Sequence, residues 1–287
     1  MAKVLIIGAD GQLGTDLKKI VDKKEAIPLT IKDIDIADKE QTRRIIFKYS
    51  PQFIINTAAY HNVDACEDND EIALRVNAIG AKYLAVAARE TGAILVHIST
   101  DYVFAGDKGT PYVEDDIPDP KSAYGISKLA GEYYVRYIHD KHFIIRTSGL
   151  YGVAGCLGKG GTNFVENMMK LAKTKNELKV VSDQIVSPTY TLDLARKINE
   201  LVRTGKFGIY HITNNGECSW YEFAKKIFEL TGTKIKLLKT TSKEFQAKAW
   251  RPAYSVLKNK KLEDMGMDDM PSWEDALKSY LKEKGRV

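Results

Sequence analysis

Short apolar runs alternate with longer amphipathic stretches over the first 150 residues. Residues 3–7, 26–31, 53–56, 94–98 and 143–147 are mostly aliphatic and show no polar face, the pattern of strands covered on both sides. Helical stretches at 15–23, 39–49 and 71–91 lie between them, and another opens at Ser122. Asp38 is placed as the N-cap of the helix at 39–49. The stretch 71–91 sets Ile72, Val76, Ile79, Tyr83, Val86 and Ala87 at helical spacing as core positions and stops at Gly92. Asn77, among these, is placed to face neighbouring strand ends. Strand and helix in strict alternation with short links predict an α/β fold, a doubly wound parallel sheet of the Rossmann kind.

Regularity stops after residue 150. Helices at 163–174, 192–204, 219–230 and 273–284 and a strand at 208–212 follow a glycine-rich stretch, 152–161, read as a flexible rim or lid. The expectation is a dinucleotide-binding domain over 1–150, completed by about 187–213, with a smaller mixed α/β substrate lobe over 151–287. There is no internal repeat and no low-complexity tract.

Composition narrows the class without choosing a function. The chain has 287 residues, 44% hydrophobic and 28% charged, as ordinary globular proteins do. Its 43 basic and 38 acidic residues leave a formal charge of +5, spread along the chain. That suits an anionic ligand and gives no nucleic-acid footprint. Cys66, Cys156 and Cys218 are scattered and odd in number, which points to a reducing cytoplasm, no disulfide frame and no zinc site. The first apolar run is too short for a signal peptide, and no stretch is long enough to span a membrane.

Three stretches carry candidate chemistry. The first is Gly8-x-x-Gly11-x-x-Gly14 between a strand and a helix. Such glycines let the backbone turn sharply and let a pyrophosphate approach the N–H groups of the helix start. The second strand then ends Thr30-Ile31-Lys32-Asp33, so a hydroxyl and a cation precede any carboxylate. This favours NADP over NAD as the cofactor, and Asp35 is left for the adenine side. Ala58-Ala59-Tyr60, after the third strand, is small enough for a cofactor to pass closely.

The second stretch holds the reaction. Ser99-Thr100-Asp101 emerge where a buried strand ends, the place where open α/β sheets bind ligands. Tyr124 and Lys128 are four residues apart on the helix that follows and share a face. The spacing alone carries little, since it recurs at Tyr137/Lys141, Tyr221/Lys225, Tyr254/Lys258 and Tyr280/Lys284. The strand-end hydroxyl upstream and the glycine turn single out Tyr124. A phenol, an ammonium and a hydroxyl together can protonate an alkoxide. Lowering a phenol from about 10 to near 7 takes about 4 kcal/mol of differential stabilisation. The third stretch is Arg251-Pro252, where an extended backbone presents a planar fork suited to diphosphate. His97 reads as a core histidine, His61 lies nearer the site rim, and Trp220, Trp250 and Trp273 read as core anchors.

These motifs resemble those of the extended short-chain dehydrogenases/reductases, and within them the branch that reduces nucleotide-linked 4-keto-6-deoxy sugars. The likeness rests on the glycine turn, Ser99-Thr100-Asp101-Tyr102-Val103-Phe104 and Tyr124-x-x-x-Lys128-Leu129-Ala130-Gly131-Glu132. It continues through Arg146-Thr147-Ser148, Asn163-Phe164-Val165, Asp183-Gln184-x-x-Ser187-Pro188-Thr189-Tyr190, Arg251-Pro252 and Trp273-Glu274-Asp275. The resemblance implies reduction of the C4 ketone of dTDP-4-dehydro-L-rhamnose to dTDP-L-rhamnose by NADPH, with NADH as the other candidate. It implies Thr100, Tyr124 and Lys128 as the catalytic trio. Gly8, Gly11, Gln12, Leu13 and Gly14 would hold the pyrophosphate, Asp35 and Ile36 the adenine, and Ala58, Ala59 and Tyr60 the middle of the cofactor. Thr100, Asp101, Asn163 and Arg251 would meet the substrate. One position departs: some members carry Trp after Arg-Thr-Ser, where this chain has Gly149. Some members also form homodimers through magnesium, for which no ligands can be assigned from this sequence. Two other readings share the fold: an NDP-sugar 4-epimerase, and a non-catalytic binding subunit resembling the regulatory β subunit of methionine adenosyltransferase.

Overall fold

The computed structural model describes residues 3–155 and 160–287. Its first half contains β1 (Val4–Ile7), α1 (Gln12–Ile20), β2 (Ala26–Leu29), α2 (Lys39–Tyr49), β3 (Phe53–Asn56), α3 (Val63–Asp68), α4 (Asp70–Leu74), a π-helical turn (Arg75–Gly80) and α5 (Ala81–Thr91). These are followed by β4 (Ile94–Thr100), α6 (Ala123–Ile138) and β5 (His142–Thr147). The second half contains β6 (Leu150–Tyr151), α7 (Phe164–Ala172), β7 (Glu177–Val181), β8 (Ile185–Val186), β9 (Thr189–Tyr190), α8 (Thr191–Leu201) and β10 (Gly208–His211). Then come β11 (Cys218–Ser219), α9 (Trp220–Thr231), β12 (Lys236–Thr240), α10 (Ser242–Phe245), α11 (Lys260–Asp264) and α12 (Trp273–Glu283).

Six strands form one parallel sheet in the order β10-β5-β4-β3-β1-β2. This is the doubly wound α/β architecture. Val4 to Ile7 are buried throughout, which is why the strand shows no alternation. One core layer joins Leu13 and Leu17 of α1 with Leu194 and Ile198 of α8 under the sheet. The other joins Ile46, Leu84, Ala85 and Val135 on the opposite face. Strand order reverses at β1, whose neighbours β2 and β3 lie on either side. The crevice at such a reversal is where this fold takes its ligand.

Outside the sheet, a third cluster is built on aromatic rings: Tyr151, Tyr190, Phe223, Trp273 and Tyr280. β6 and β9 pair over only two residues there, whereas β7 and β12 pair in parallel over five. The expected rim at 152–161 includes 156–159, which lie outside the described residues, as does Cys156.

Two expectations need correction. The helix foreseen at 71–91 is interrupted by the π-helical turn, whose extra residue rotates the later positions. Ala87 is buried as expected, together with Ala73, Asn77, Ala78, Ala81, Leu84, Ala85 and Ala88, while Val76, Ile79, Tyr83 and Val86 are half-buried and Ile72, which precedes the turn, is 47% exposed. Trp250 is not a core anchor, being 39% exposed, whereas Trp273 is buried.

Candidate active site

Gly8 has φ +79°, and a Cβ there would lie 2.7 Å from Thr57 Oγ1 and 2.9 Å from Ala58 N. A Cβ on Gly14 would lie 2.2 Å from the Gly8 carbonyl oxygen. So β1, β3 and the start of α1 meet over space that only glycine leaves open. Gly11 is the N-cap of α1 without a side-chain hydrogen bond of its own. These features fit a dinucleotide pyrophosphate. Gln12 turns outward from the helix and its Oε1 accepts from Gly152 N at 2.9 Å, while Leu13 is buried. Asp33 accepts from Thr30 N and Thr30 Oγ1 at 2.8 and 2.9 Å, which holds its carboxyl below the usual range. That carboxylate is committed to its own turn, and Lys32 beside it is exposed. Asp35 Oδ1 accepts from Ala37 N, and Ile36 is buried against Gly80.

Ala58, Ala59 and Tyr60 leave β3 partly buried. Asn77, from the π-helical turn, fixes them: its Oδ1 accepts from Tyr60 N at 2.8 Å and its Nδ2 donates to Tyr60 O at 2.9 Å. The same Nδ2 lies 3.0 Å from Ser127 Oγ on α6. One amide thus ties the end of β3 to the helix that carries Tyr124 and Lys128.

Tyr124, Lys128 and Glu132 stand four residues apart on one face of α6. Glu132 forms a buried ion pair with Arg146 of β5, at 2.7 Å, and accepts from Ser99 Oγ of β4. Gly125 and Gly131 let α6 pack closely, since a Cβ would meet Tyr102 O at 2.3 Å and Asn77 O at 2.4 Å. The helix is therefore fixed against the strand ends. Tyr124 reaches the Thr100 hydroxyl, and burial pushes its phenol well above the usual range, against the smaller effect of that hydrogen bond. Thr100 Oγ1 donates to Asp101 Oδ1 at 3.0 Å, and Ser148 Oγ donates to Asp101 Oδ2 at 2.9 Å. Burial raises the Asp101 carboxyl, while its hydroxyl donors oppose the rise.

Lys128 is buried, and burial brings its ammonium down to about 8. Its Nζ donates to the Ile98 carbonyl at 2.6 Å. The Tyr124 phenol is raised by burial rather than lowered. Cys66 is a neutral neighbour, its thiol pushed up to about 11 by burial.

The other predicted residues lie apart from this trio. Asn163 is buried and caps α7: its Oδ1 accepts from Glu166 N at 3.0 Å, and its Nδ2 donates to Gly152 O at 2.9 Å. Arg251 is half-buried and paired with Asp64 at 2.8 Å. Gly149 has φ +57°, and a Cβ there would lie 3.0 Å from Pro188 Cα. A tryptophan would be strained on this backbone and would press on Pro188. His97 is buried as expected, with Nδ1 beside Asn56 Nδ2. A cavity of about 500 Å³, lined by residues such as Glu114, Arg136, His142 and Lys261, shares no side chain with the trio. Among the described residues, no three His, Cys, Asp or Glu side chains converge as metal ligands.

A family profile described as the RmlD substrate binding domain matches residues 2–285. The chain belongs to that family. Among the RmlD relatives, the spore coat polysaccharide biosynthesis protein SpsK of Bacillus subtilis is 47% identical over 99% of this chain and 98% of its own. The dTDP-4-dehydrorhamnose reductase of Aggregatibacter actinomycetemcomitans is 38% identical over 97% of this chain and 98% of its own. The crystal structure of the Bacillus anthracis dTDP-4-dehydrorhamnose reductase in complex with NADP superposes with a TM-score of 0.94 at 44% identity, covering 99% of this chain and all of that one. Asn77, Ser148 and Asp64 were missed as site residues by the sequence reading. Asn77 stands out in the sequence as a polar residue within an apolar helical stretch and Ser148 as part of Arg146-Thr147-Ser148, whereas Asp64 carries no such sign.

Proposed function

We propose that this chain reduces the C4 ketone of dTDP-4-dehydro-L-rhamnose to dTDP-L-rhamnose with NADPH. The observation that carries the reading is the Tyr124–Thr100 hydrogen bond at the end of β4, with the buried Lys128 one helical turn on and bonded to the same strand at Ile98 O, in a sheet whose first turn is a glycine cradle that a Cβ would fill. Relatives of matching length named for that reaction, one of them bound to NADP, support it.

NADPH, when bound, supplies a hydride to the ketone carbon. Gly8, Gly11 and Gly14 give its pyrophosphate access to the start of α1, with Gln12 and Leu13 alongside. Asp35 and Ile36 would hold the adenine, and Ala58, Ala59 and Tyr60, the last fixed by Asn77, would hold the middle of the cofactor. Lys32 and the committed Asp33 favour the 2′-phosphate form over NADH.

Tyr124 gives its proton to the C4 oxygen as charge builds there. Its raised pKa keeps the phenol protonated in the resting enzyme, so the acid is loaded before substrate arrives. When the substrate arrives, the Thr100 hydroxyl turns its one proton from Asp101 Oδ1 to the carbonyl oxygen beside it. Lys128 sets a positive charge one helical turn from Tyr124, against the tyrosinate left after transfer. Arg251 faces the diphosphate. Residues 1–150, completed by about 187–213, form the cofactor domain, with Leu194 and Ile198 packed under the sheet against Leu13 and Leu17, and the rest of 151–287 is mainly the substrate lobe.

Purified protein mixed with NADPH and dTDP-4-dehydro-L-rhamnose tests this by absorbance of the cofactor. Stoichiometric NADPH oxidation with dTDP-L-rhamnose as product is expected. Sugar interconversion without net oxidation selects an epimerase, and neither outcome leaves a binding protein.

A further inference from the structure

The Asp64–Arg251 pair joins α3 to a segment far along the chain. Arg251 Nη2 donates to Asp64 Oδ2 at 2.8 Å, and Nη1 donates to its own segment at Ala249 O, 3.1 Å away. The other carboxylate oxygen, Asp64 Oδ1, accepts from Ala249 N at 2.9 Å. Lys248 pairs with Asp68 one turn further along α3. The Tyr102 hydroxyl also bonds to Arg251, and the Tyr102 ring stands edge-on to Tyr124 with centroids 5.8 Å apart. Arg251 is therefore one tyrosine away from the proton donor, with its charge already met by a carboxylate.

That pair is not sealed. The Asp64 side chain is 45% exposed and the Arg251 side chain 22% exposed. Exposed carboxylate pairs bind weakly, because water screens both charges. A diphosphate carries more charge than one carboxylate and matches the same planar fork. It would displace Asp64 from the guanidinium.

We propose that Asp64 is an internal competitor for the substrate's diphosphate. It occupies Arg251 in the free protein and yields it when a nucleoside diphosphate arrives. The proposal rests on the reading of Arg251 as the diphosphate ligand. It makes Asp64 a specificity-determining residue: a ligand with only one negative charge fails to evict it. The exchange also moves the guanidinium that Tyr102 holds, so diphosphate binding is felt beside Tyr124.

The test uses the NADPH-loaded protein and dTDP as the probe, with affinity read by titration calorimetry. Asp64→Asn keeps an acceptor for Ala249 N but removes the charge, and it is expected to tighten dTDP binding roughly fivefold, the effect of one charge a few ångströms away in water. Arg251→Met should weaken dTDP binding, and Asp64→Asn should add nothing in the Arg251→Met background. Unchanged or weaker dTDP binding by Asp64→Asn, with Arg251→Met still damaging, overturns the competitor role and leaves the reading of Arg251 intact. Wild-type dTDP affinity in Arg251→Met overturns both. If Asp64→Asn unfolds, Asp64→Ser gives the same readout.

Discussion

The sheet half and the aromatic lobe reach stability by different means, and the contrast says which residues tolerate change. In the sheet half, strands of four to seven residues pair along their full length, and glycines set the distances between elements. Positions there are fixed by backbone contact. In the aromatic lobe, β7 and β12 pair over five residues, but the β6–β9 and β8–β11 pairs span only two, and Tyr151, Tyr190, Phe223 and Tyr280 pack ring against ring. Positions there are fixed by side chains and caps. The proposed reaction chemistry, at Thr100, Tyr124 and Lys128, lies in the first.

The largest effect expected is at Tyr124. Tyr124→Phe removes the proton donor but keeps the ring against Tyr102, so kcat should fall by about 10²–10⁴-fold with NADPH affinity near wild type. Steady-state turnover and cofactor fluorescence titration check this. Turnover within a factor of ten of wild type removes Tyr124 from the role of acid.

Glycine substitutions sharpen the contrast next. Gly14→Ala drives a Cβ into the Gly8 carbonyl, 2.2 Å away, and neither atom can swing aside. Overpacking of this kind costs about 1–3 kcal/mol and should weaken NADPH binding roughly 10–100-fold. Gly205→Ala is the control: with φ +66° and nothing within 4 Å, it should cost only about 1 kcal/mol and leave NADPH affinity alone. Equal effects on cofactor binding would break the distinction.

A smaller effect follows from Lys128. Its ammonium is brought down to about 8 by burial, whereas the Tyr124 phenol is raised. The charged lysine is the active form, so kcat/KM for NADPH should fall as pH rises through about 8, roughly tenfold per pH unit beyond it. Stability should move the other way. The unfolded chain binds the Lys128 proton up to about 10.5, so this group's contribution to stability rises from about pH 8 to that point. A kcat/KM limb near pH 10 would show that burial of Lys128 is not felt.

The same contrast explains what the sequence reveals. Buried strands, the glycine turn, Asp38 as a cap and the α6 helix follow from local pattern, because each is decided within a few residues. The π-helical turn at Arg75–Gly80 does not, since it follows from packing Asn77 against Tyr60 and Gly131. Asp64 is likewise hidden, its partner Arg251 being 187 positions away. Tyr124 and Thr100 were legible because a strand end and a helix start bring them together. The direction of the Tyr124 shift was not, as it depends on how completely the fold excludes water from the phenol.

The smallest expected effect separates a cap from a ligand. Asn163 was expected among the substrate contacts, yet its amide accepts from Glu166 N and donates to Gly152 O and to Tyr280 Oη at 3.2 Å. Both ends serve the lobe's own structure. Even the local sequence carries the sign of a cap, Asn163 with Glu166 three residues on. Asn163→Ala should therefore cost about 1–2 kcal/mol, seen as a fall in Tm of several degrees, with KM for the sugar nucleotide unchanged. Asn163→Asp keeps the acceptor for Glu166 N but loses the donor to Gly152 O, so it should fall between wild type and Asn163→Ala. A raised KM with wild-type Tm would return Asn163 to the substrate and show that the aromatic lobe, too, carries chemistry on its polar side chains.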